Sequence, residues 1–343
     1  MTKAIIGATS AICSIGGGVD QIWASARAGI SRIGSSNVID KHGEPIQMGL
    51  VPEDHLPPLP PELETGLTSR ARRLLRLAAP TLAAAAKELK QPVRVYLGMP
   101  ELGAEQAPWL DQFLALLSKA SNIQIDLEQS ALIPRGRAAA LRALEAALEM
   151  LSTDPSIPVV VGGVDSFLDL RLLAELDGEQ RILGSRVMDG FIPGEGAAFF
   201  VLHAPTENVT TRTASLDGVA SAKDSGSRYG SSPAKGEGLA EAIEKMRAGL
   251  QPAAPVGTTF AGFNGENFDA KLWGVAQLRH SDFFASGMFM EHPADKYGDT
   301  GAATGALLTV LAATALSRQQ RSGPALVWAA SDSELRACAL LST

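Results

Sequence analysis

The chain has 343 residues, of which 45% are hydrophobic and 20% charged, and its formal net charge is −7. This length can bury a substantial core in one large domain or two closely packed ones, and the composition is that of a globular rather than a disordered protein. The acidic balance, without a basic tract interleaved with aromatic residues, argues against nucleic acid as a partner.

Two cysteines, Cys13 and Cys338, lie near opposite ends of the chain. Their spacing fits neither a metal site nor a disulfide framework, so we expect a cytoplasmic protein without a bound metal or cofactor. The longest apolar run, residues 301–316, contains glycine and threonine. It predicts a buried core helix rather than a membrane span.

In the first half of the chain, apolar stretches of strand length alternate with stretches of helical period. They predict strands over residues 3–7, 92–100, 123–127, 159–163 and 199–202, and helices over residues 19–29, 69–90, 109–117 and 136–151. Residues 35–64 are rich in proline and predict a surface excursion without regular structure. Pro80 is expected to kink or break the helix that contains it.

A second series of the same kind starts near Thr211. It predicts strands over residues 214–221, 256–263 and 325–331, and helices over residues 236–250, 270–279 and 301–316. Strands that alternate with helices indicate an α/β protein with crossover connections. Because the two series resemble each other in order, we predict two similar α/β halves, residues 1–207 and residues 208–343.

Charged side chains stand out in two of the apolar segments. The helix over residues 69–90 carries four arginines, Arg70, Arg72, Arg73 and Arg76. They could form a patch for an anion or a carrier protein, but a solvated helix face is the favoured interpretation. Glu195 lies between two glycines in apolar surroundings, and we expect backbone N–H groups to satisfy its carboxylate.

Five segments, taken in order, carry a family resemblance. They are AIIGATSAICSIGGGVDQIWASARAGISRI, SRARRLLRLAAPTLAAAAKEL, VVVGGVDSF with DGFIPGEGAAFFVL, TTFAGFNGENFDAKLWGVAQLR, and YGDTGAATG. Over essentially the whole chain they resemble the β-ketoacyl synthases (3-oxoacyl-ACP synthases) of the thiolase superfamily. The resemblance implies a thiolase-like α/β fold whose two similar halves pack in layers as α-β-α-β-α. It also implies a homodimer, and acyl-carrier protein or acyl-CoA as partners.

In such enzymes a cysteine at a helix N-terminus takes the acyl group, and two histidines promote decarboxylation and stabilise the enolate. Pairing residues 135–136 with the family's Ser-Gly places Ile133 at the cysteine position. A shift of one or two residues would give Pro134 or Arg135, and none of these is a nucleophile. Ser130, slightly upstream, is a weak alternative because no base lies beside it in sequence.

Both histidine positions are also altered in the resemblance. Asn264 stands for the first histidine, with Glu266 two residues further on, and Asp299 stands for the second. The family's lysine would fall on Ala294. The glycine-rich turn that helps to form the family's oxyanion hole is replaced by SDSEL, residues 331–335.

These replacements favour a degenerate synthase that keeps the fold but not the condensation chemistry. It would act as a binding or assembly partner for an acyl chain, a carrier or a client protein, as a homodimer or with an active relative.

The alternative is an acyltransferase-like enzyme in which Asp299 and Glu266 perform acid–base work on an acyl thioester. Against it, Asp299 is expected to cap its helix and Glu266 to lie on a loop surface. An ordinary synthase would need a cysteine at the nucleophile position, and the chain has none there.

Overall fold

The computed structural model describes residues 3–102, 108–205, 213–250 and 254–343. The helices are α1 (Val19–Arg27), α2 (Pro61–Glu64), α3 (Ser69–Ala85), α4 (Phe113–Ser121), α5 (Ala139–Thr153), α6 (Leu170–Gly178), α7 (Glu237–Ala248), α8 (Asn267–Arg279), α9 (Ala294–Tyr297) and α10 (Thr304–Ser317). The strands are β1 (Ala4–Cys13), β2 (Gly34–Ile39), β3 (Pro45–Met48), β4 (Arg94–Met99), β5 (Ala131–Pro134), β6 (Val159–Ser166), β7 (Glu195–His203), β8 (Ala214–Lys223), β9 (Val256–Ala261), β10 (Phe284–Glu291), β11 (Ala325–Ala330) and β12 (Leu335–Ser342).

Within these ranges, a ten-stranded sheet runs in the order β10-β9-β11-β12-β8-β1-β7-β6-β4-β5. The antiparallel pair β1–β8 joins two five-stranded halves. In each half the two inner pairings are antiparallel and the two outer pairings are parallel. This identical order confirms two similar α/β units. The predicted boundary between residues 207 and 208 and the predicted start near Thr211 lie outside the described residues.

Helices α5 and α10 form a central layer between the two halves of the sheet. Helix α5 contacts β4 and β6 on one side and β8 on the other, and α10 contacts both β7 and β11. Helices α3 and α4 cover the outer face of the first half, and α7 and α8 that of the second. These contacts confirm the predicted α-β-α-β-α layering.

The buried elements follow from their apolar sequences. Strand β6 is buried on both faces, with Val159 and Val161 in the central core and Val160 and Val164 in the core under α3. Helix α10 is buried along residues 304–316, as predicted, because an evenly apolar helix needs protein on all sides. None of the helices in the described ranges has both the length and the apolarity to cross a membrane.

Two glycines bring the first turns of α5 and α10 close to the sheet. A Cβ on Gly98 would lie 2.5 Å from Ala140 N, and a Cβ on Gly163 would lie 2.4 Å from Ala302 O. Real side chains do not fit at such distances, so these positions on β4 and β6 require glycine. The two helix starts therefore meet over neighbouring strands.

The strand predicted over residues 123–127 is wrong. That segment makes only an isolated bridge between Ile125 and Val93, and the strand that pairs with β4 is β5. A four-residue strand that ends in proline has almost no periodic signal of its own. The place of β5 in the chain is set by its pairing with β4, which the local sequence does not indicate.

A further local expectation is wrong. Residues 35–64 contain regular structure, because β2 and β3 form an antiparallel pair and α2 follows them. Helix α3 continues through Pro80 without a break. Its apolar face, which includes Leu74 and Leu77, is buried, and this burial offsets the roughly 3 kcal/mol that an internal proline costs. The sequence-based elements also include no counterpart of α6, α9, β10 or β12.

Candidate functional site

Two of the three positions that the sequence resemblance pairs with catalytic residues, Asn264 and Asp299, lie together near the starts of α8 and α10. Asn264 Nδ2 donates hydrogen bonds to Asp299 Oδ2 at 3.1 Å and to Glu266 Oε2 at 2.8 Å. Glu266 Oε2 and Asp299 Oδ2 are therefore no further apart than the sum of these two distances. The third position, Ile133, lies in β5 and packs against the central apolar core.

Asp299 has two kinds of partner. Its Oδ1 accepts a hydrogen bond from the N–H of Gly301 at 2.8 Å, in the 3₁₀ turn Gly301–Ala303 that precedes α10; the N-cap residue of α10 is Ala303, so Asp299 is not the expected cap of that helix. Its Oδ2 accepts one from Arg137 Nε at 2.6 Å, and Arg137 Nη2 lies 2.5 Å from the same oxygen. Arg137 itself comes from the turn that leads into α5. Asp299 thus bonds to the turn before its helix and also forms a buried ion pair.

Glu266 is only 3% exposed, so its expected place on a loop surface is wrong. Arg181 binds it through two parallel hydrogen bonds, Nε to Oε1 and Nη2 to Oε2, both 2.9 Å long. Arg228 Nη2 donates to Oε2 at 3.0 Å. Counter-charges from two distant loops allow this carboxylate to be buried.

Asp332 connects the same three arginines. It belongs to residues 331–335, which the sequence resemblance pairs with a glycine turn, and it accepts hydrogen bonds from Arg181 at 3.0 Å and from Arg228 at 2.9 Å. Arg137 Nη1 lies 3.0 Å from its Oδ2. We call Arg137, Arg181, Arg228, Glu266, Asp299 and Asp332 the charge cluster.

The charge cluster holds three cations and three anions, so its formal charge is balanced. Despite burial, the arginines Arg137 and Arg181 hold the pKa of Asp332 well below its usual range. The neighbouring carboxylates raise the pKa values of Arg137 and Arg181 despite their own burial. All three groups are therefore ionised at neutral pH, and each is held by its counter-charges.

At the start of α5, backbone groups are also hydrogen-bonded to a side chain of the protein. The Oγ atom of Ser331 accepts a hydrogen bond from the N–H of Ala138 at 3.0 Å and donates a short one to the carbonyl of Arg135. At the start of α10, Asp165 Oδ2 accepts the N–H of Ala302 at 2.9 Å. Backbone donors that could stabilise a developing oxyanion are thus bound to side chains of the protein itself.

The glycine- and serine-rich loop between β8 and α7 covers one side of the charge cluster. Arg228 of this loop stacks over Phe268, with its Cζ 4.4 Å from the ring centroid. The hydroxyl of Tyr229 accepts a hydrogen bond from Arg181 at 2.6 Å and donates one to Glu179 at 3.0 Å. The loop is therefore tied to the cluster by two consecutive side chains.

Asp269, in the first turn of α8, is a buried acid that the sequence did not single out. No hydrogen bond to its side chain is formed within the described parts of the chain, and it is 3% exposed. Burial raises its pKa from 3.8 to about 7. The charge of Arg137 opposes this rise, and the carboxylate of Glu266 adds to it.

Two of the four arginines on α3 are buried, so the predicted solvated face is wrong for them. Arg70 binds Asp165 at 2.8 Å, and Arg73 binds Glu195 through Nε at 2.9 Å and Nη2 at 2.6 Å. Glu195 also accepts a hydrogen bond from Val51 N–H at 2.8 Å. The hydroxyl of Ser166 donates to it as well, at 2.7 Å, so its carboxylate is satisfied mainly by side chains, with one backbone donor, and the expected set of backbone donors is wrong.

Neither Ser130 nor the two cysteines is arranged to act as a nucleophile. Ser130 Oγ accepts a hydrogen bond from Val95 N–H at 2.8 Å, just before β5, whereas the charge cluster lies beyond the other end of that strand. Burial raises the pKa of the Cys13 thiol to about 12 and raises that of Cys338 as well. Protonated thiols are poor nucleophiles.

Within the described ranges, no three His, Cys, Asp or Glu side chains are arranged to hold a metal ion.

The sequence matches no protein-family profile and no curated protein. Its structure is similar to that of the ketosynthase from module 6 of the bacillaene synthase of Bacillus subtilis 168, with a TM-score of 0.80 and 14% identity, over 99% of this chain and 72% of that one. It is also similar to a type II ketosynthase in complex with its acyl-carrier protein, with a TM-score of 0.77 and 16% identity, over 100% and 99% of the two chains.

A third similar structure is the ishigamide ketosynthase/chain length factor, with a TM-score of 0.76 and 16% identity, over 100% of this chain and 99% of that one. The layered architecture and these similarities define the class: the chain has the thiolase-like fold of the ketosynthases. The ketosynthase-like fold that the five sequence segments predict is therefore confirmed.

Proposed function

We propose that this chain is a ketosynthase-fold protein without condensation activity that serves as a binding or assembly partner for an acyl chain, a carrier or a client protein. The observation that carries the proposal is the Arg137–Asp299 pair, with nitrogen–oxygen distances of 2.6 and 2.5 Å. By the correspondences drawn from sequence, Asp299 stands at the second histidine position and α5 is the nucleophile helix. By these correspondences, an ion pair lies at the second histidine position, beside the start of the helix that would follow the nucleophile.

The occupied backbone donors support the same proposal. Condensation needs N–H groups that are free to stabilise an oxyanion, but the N–H of Ala138 binds Ser331 and that of Gly301 binds Asp299. Removal of one nucleophile or one such donor commonly slows catalysis by roughly 10²-fold or more. Several losses together leave no effective route to condensation.

An assembly role is supported by the edge of the sheet. Strand β5 ends the ten-stranded sheet, and its residues are half-buried. An edge strand offers unpaired backbone groups to another strand. We propose that β5 pairs with β5 of a second copy in a homodimer, or with the matching strand of an active relative. The similar ketosynthase/chain length factor supports the second arrangement, and the similar ketosynthase in complex with an acyl-carrier protein supports a carrier as a further partner.

The acid–base alternative has one favourable observation, the amide of Asn264 that bonds both Glu266 and Asp299. However, both carboxylates are already held by arginines, Glu266 by Arg181 and Asp299 by Arg137. A carboxylate must exchange protons with its substrate to act as an acid or base. The ion pairs therefore favour the non-catalytic role.

The proposal is tested by measuring assembly, binding and turnover on one preparation. We expect native mass spectrometry to show a two-fold assembly, and thermal shift with acyl-carrier protein or acyl-CoA to show binding without malonyl decarboxylation. Decarboxylation that Asp299→Asn abolishes would support the acid–base alternative instead. Decarboxylation that survives this substitution would contradict both.

A further inference from the structure

Asn264 and Gly265 form the one Asn-Gly pair in the sequence, in the turn between β9 and α8. Asparagine in such a pair is chemically labile, because glycine has no side chain to hinder its nitrogen. That nitrogen attacks the side-chain amide carbon, closes a succinimide ring and releases ammonia. Whether a folded protein assists this reaction depends on the contacts of three groups: the attacking nitrogen, the amide oxygen and the departing nitrogen.

The attacking group, the N–H of Gly265, is not engaged elsewhere. It donates no hydrogen bond to any residue in the described parts of the chain, and Gly265 is exposed. Its φ of 114° lies in the region that favours glycine, so the turn itself requires a residue without a side chain at this position. Water therefore reaches this nitrogen and can take its proton.

The amide oxygen of the Asn264 side chain already has a hydrogen-bond donor. Its Oδ1 accepts the backbone N–H of Glu266 at 2.9 Å. Negative charge develops on this oxygen when the nitrogen of Gly265 attacks Cγ, and a donor that is already in place stabilises such a charge. The N–H of Glu266 therefore favours the attack on this amide in the same way that an oxyanion-hole donor favours acyl transfer.

The departing nitrogen lies between two carboxylates. Nδ2 of Asn264 donates hydrogen bonds to Glu266 Oε2 at 2.8 Å and to Asp299 Oδ2 at 3.1 Å. Once Cγ has been attacked, this nitrogen is an amine and takes up a proton from water. Neighbouring carboxylates favour the charged ammonium form, and from that form the nitrogen leaves as neutral ammonia. The contacts that hold the amide thus also favour its departure.

We propose that Asn264 is a site of spontaneous modification, which the fold assists, to aspartate or isoaspartate. The nitrogen of Gly265 loses its proton to water and bonds to Asn264 Cγ, the Cγ–Nδ2 bond breaks, and ammonia leaves. Water then opens the succinimide at either carbonyl, so the reaction consumes water, releases ammonia and needs no oxidant or reductant. The product adds a negative charge beside Glu266 and Asp299 and removes the amide that links them. This proposal does not depend on the loss of condensation activity.

The experiment incubates the unchanged full chain, folded and urea-unfolded, in mildly alkaline buffer and follows conversion by mass spectrometry. One tryptic peptide, residues 248–271, contains both Asn264 and Asn267, so its fragment masses compare them directly. Asn267 is the matched control, because it is exposed but is followed by Phe268. In the folded chain we expect Asn264 to convert at least about tenfold faster than Asn267, and no more slowly than in the unfolded chain. Several-fold slower conversion on folding, or equal conversion of the two asparagines, would overturn the proposal.

Two variants test the chemistry and its consequence. Asn264→Gln keeps a side-chain amide but lengthens the chain, so ring closure is slow and the conversion should be lost. Asn264→Asp makes one product directly, and we expect a lower urea midpoint of unfolding because a third carboxylate then lies beside Glu266 and Asp299. Asn267→Asp, at an exposed position, is its control and should leave the midpoint unchanged. Undiminished conversion in Asn264→Gln, or equal midpoints of the two aspartate variants, would contradict the proposal.

Discussion

Arg137 and Asp299, 162 positions apart in sequence, form an ion pair in which two guanidinium nitrogens face one carboxylate oxygen. Both side chains are almost fully buried. The pair joins the start of α5 to the start of α10, the two central helices. Its disruption should therefore affect the whole fold rather than one loop.

We expect Arg137→Ala to lower the free energy of unfolding by about 3–5 kcal/mol, because it leaves Asp299 buried with its main counter-charge missing. Adding Asp299→Asn should recover part of this loss, since the amide is neutral and keeps the shape. Urea unfolding of the two variants measures both effects. Lys245→Ala, which breaks an exposed pair with Glu241, is the control and should change stability by less than about 1 kcal/mol. An Arg137→Ala protein as stable as that control would contradict the expectation.

Ser331→Ala should cost about 1 kcal/mol of unfolding free energy, because the N–H of Ala138 loses its acceptor at the start of α5. Thermal and chemical unfolding measure this loss. Ser156→Ala removes an exposed serine hydroxyl that bonds Asp154 within one loop, and it serves as the comparison. Similar effects of the two substitutions would show that the hydroxyl of Ser331 does not hold the helix start.

Asp269 gives the protein a defined dependence of stability on pH. Its folded-state pKa of about 7 lies above the unfolded value of 3.8, so the folded protein keeps a proton that the unfolded chain releases. The free energy of unfolding should therefore fall as pH rises from about 4 to about 7, and stay at the lower level above that.

Asp269→Asn should remove this contribution and be more stable than the unchanged protein at pH 8, by about 2–4 kcal/mol. The difference between the two proteins should shrink as the pH is lowered towards 4. Urea unfolding across this range measures it, with Asp111→Asn at an exposed position as the control. A difference that does not change with pH would mean that Asp269 is ionised throughout the range.

Arg228→Ala should loosen the loop between β8 and α7, because the loop loses its bonds to Glu266 and Asp332. Chymotrypsin cleaves after tyrosine, and Tyr229 of this loop is exposed. We expect cleavage there to become several-fold faster, since local opening exposes the chain to protease. Arg247→Ala, which breaks an exposed pair with Asp282 elsewhere, should leave the rate unchanged. Equal rates in both variants would show that Arg228 does not restrain the loop.

Features set by local pattern could be predicted from the sequence. The buried helix α10 follows from apolar residues on all its sides, and the two similar halves follow from the repeated order of strands and helices. An acid just before an apolar helix start indicates a bond to a nearby backbone N–H, and Asp299 makes such a bond to Gly301 in the turn before α10.

The charge cluster could not be predicted in this way. Arg181 and Asp332 are 151 positions apart, and neither lies in a segment whose spacing indicates a site. Burial of arginine depends on counter-charges that only the folded sheet brings near. One local signal did exist: Arg70 and Arg73 share a helix face with Leu74 and Leu77, which is the face that packs inwards.

The interlocked charges have a consequence for how such a chain could change over generations. Replacing any one of the six paired side chains of the charge cluster by a thiol or an imidazole would leave an opposite charge without its partner in the interior, at a cost comparable to much of the stability of a typical protein. Change at this site would thus require several coordinated substitutions, with poorly folding intermediates between them. The buried charges therefore constrain substitutions in the interior of this protein, and selection can change its surface residues more readily.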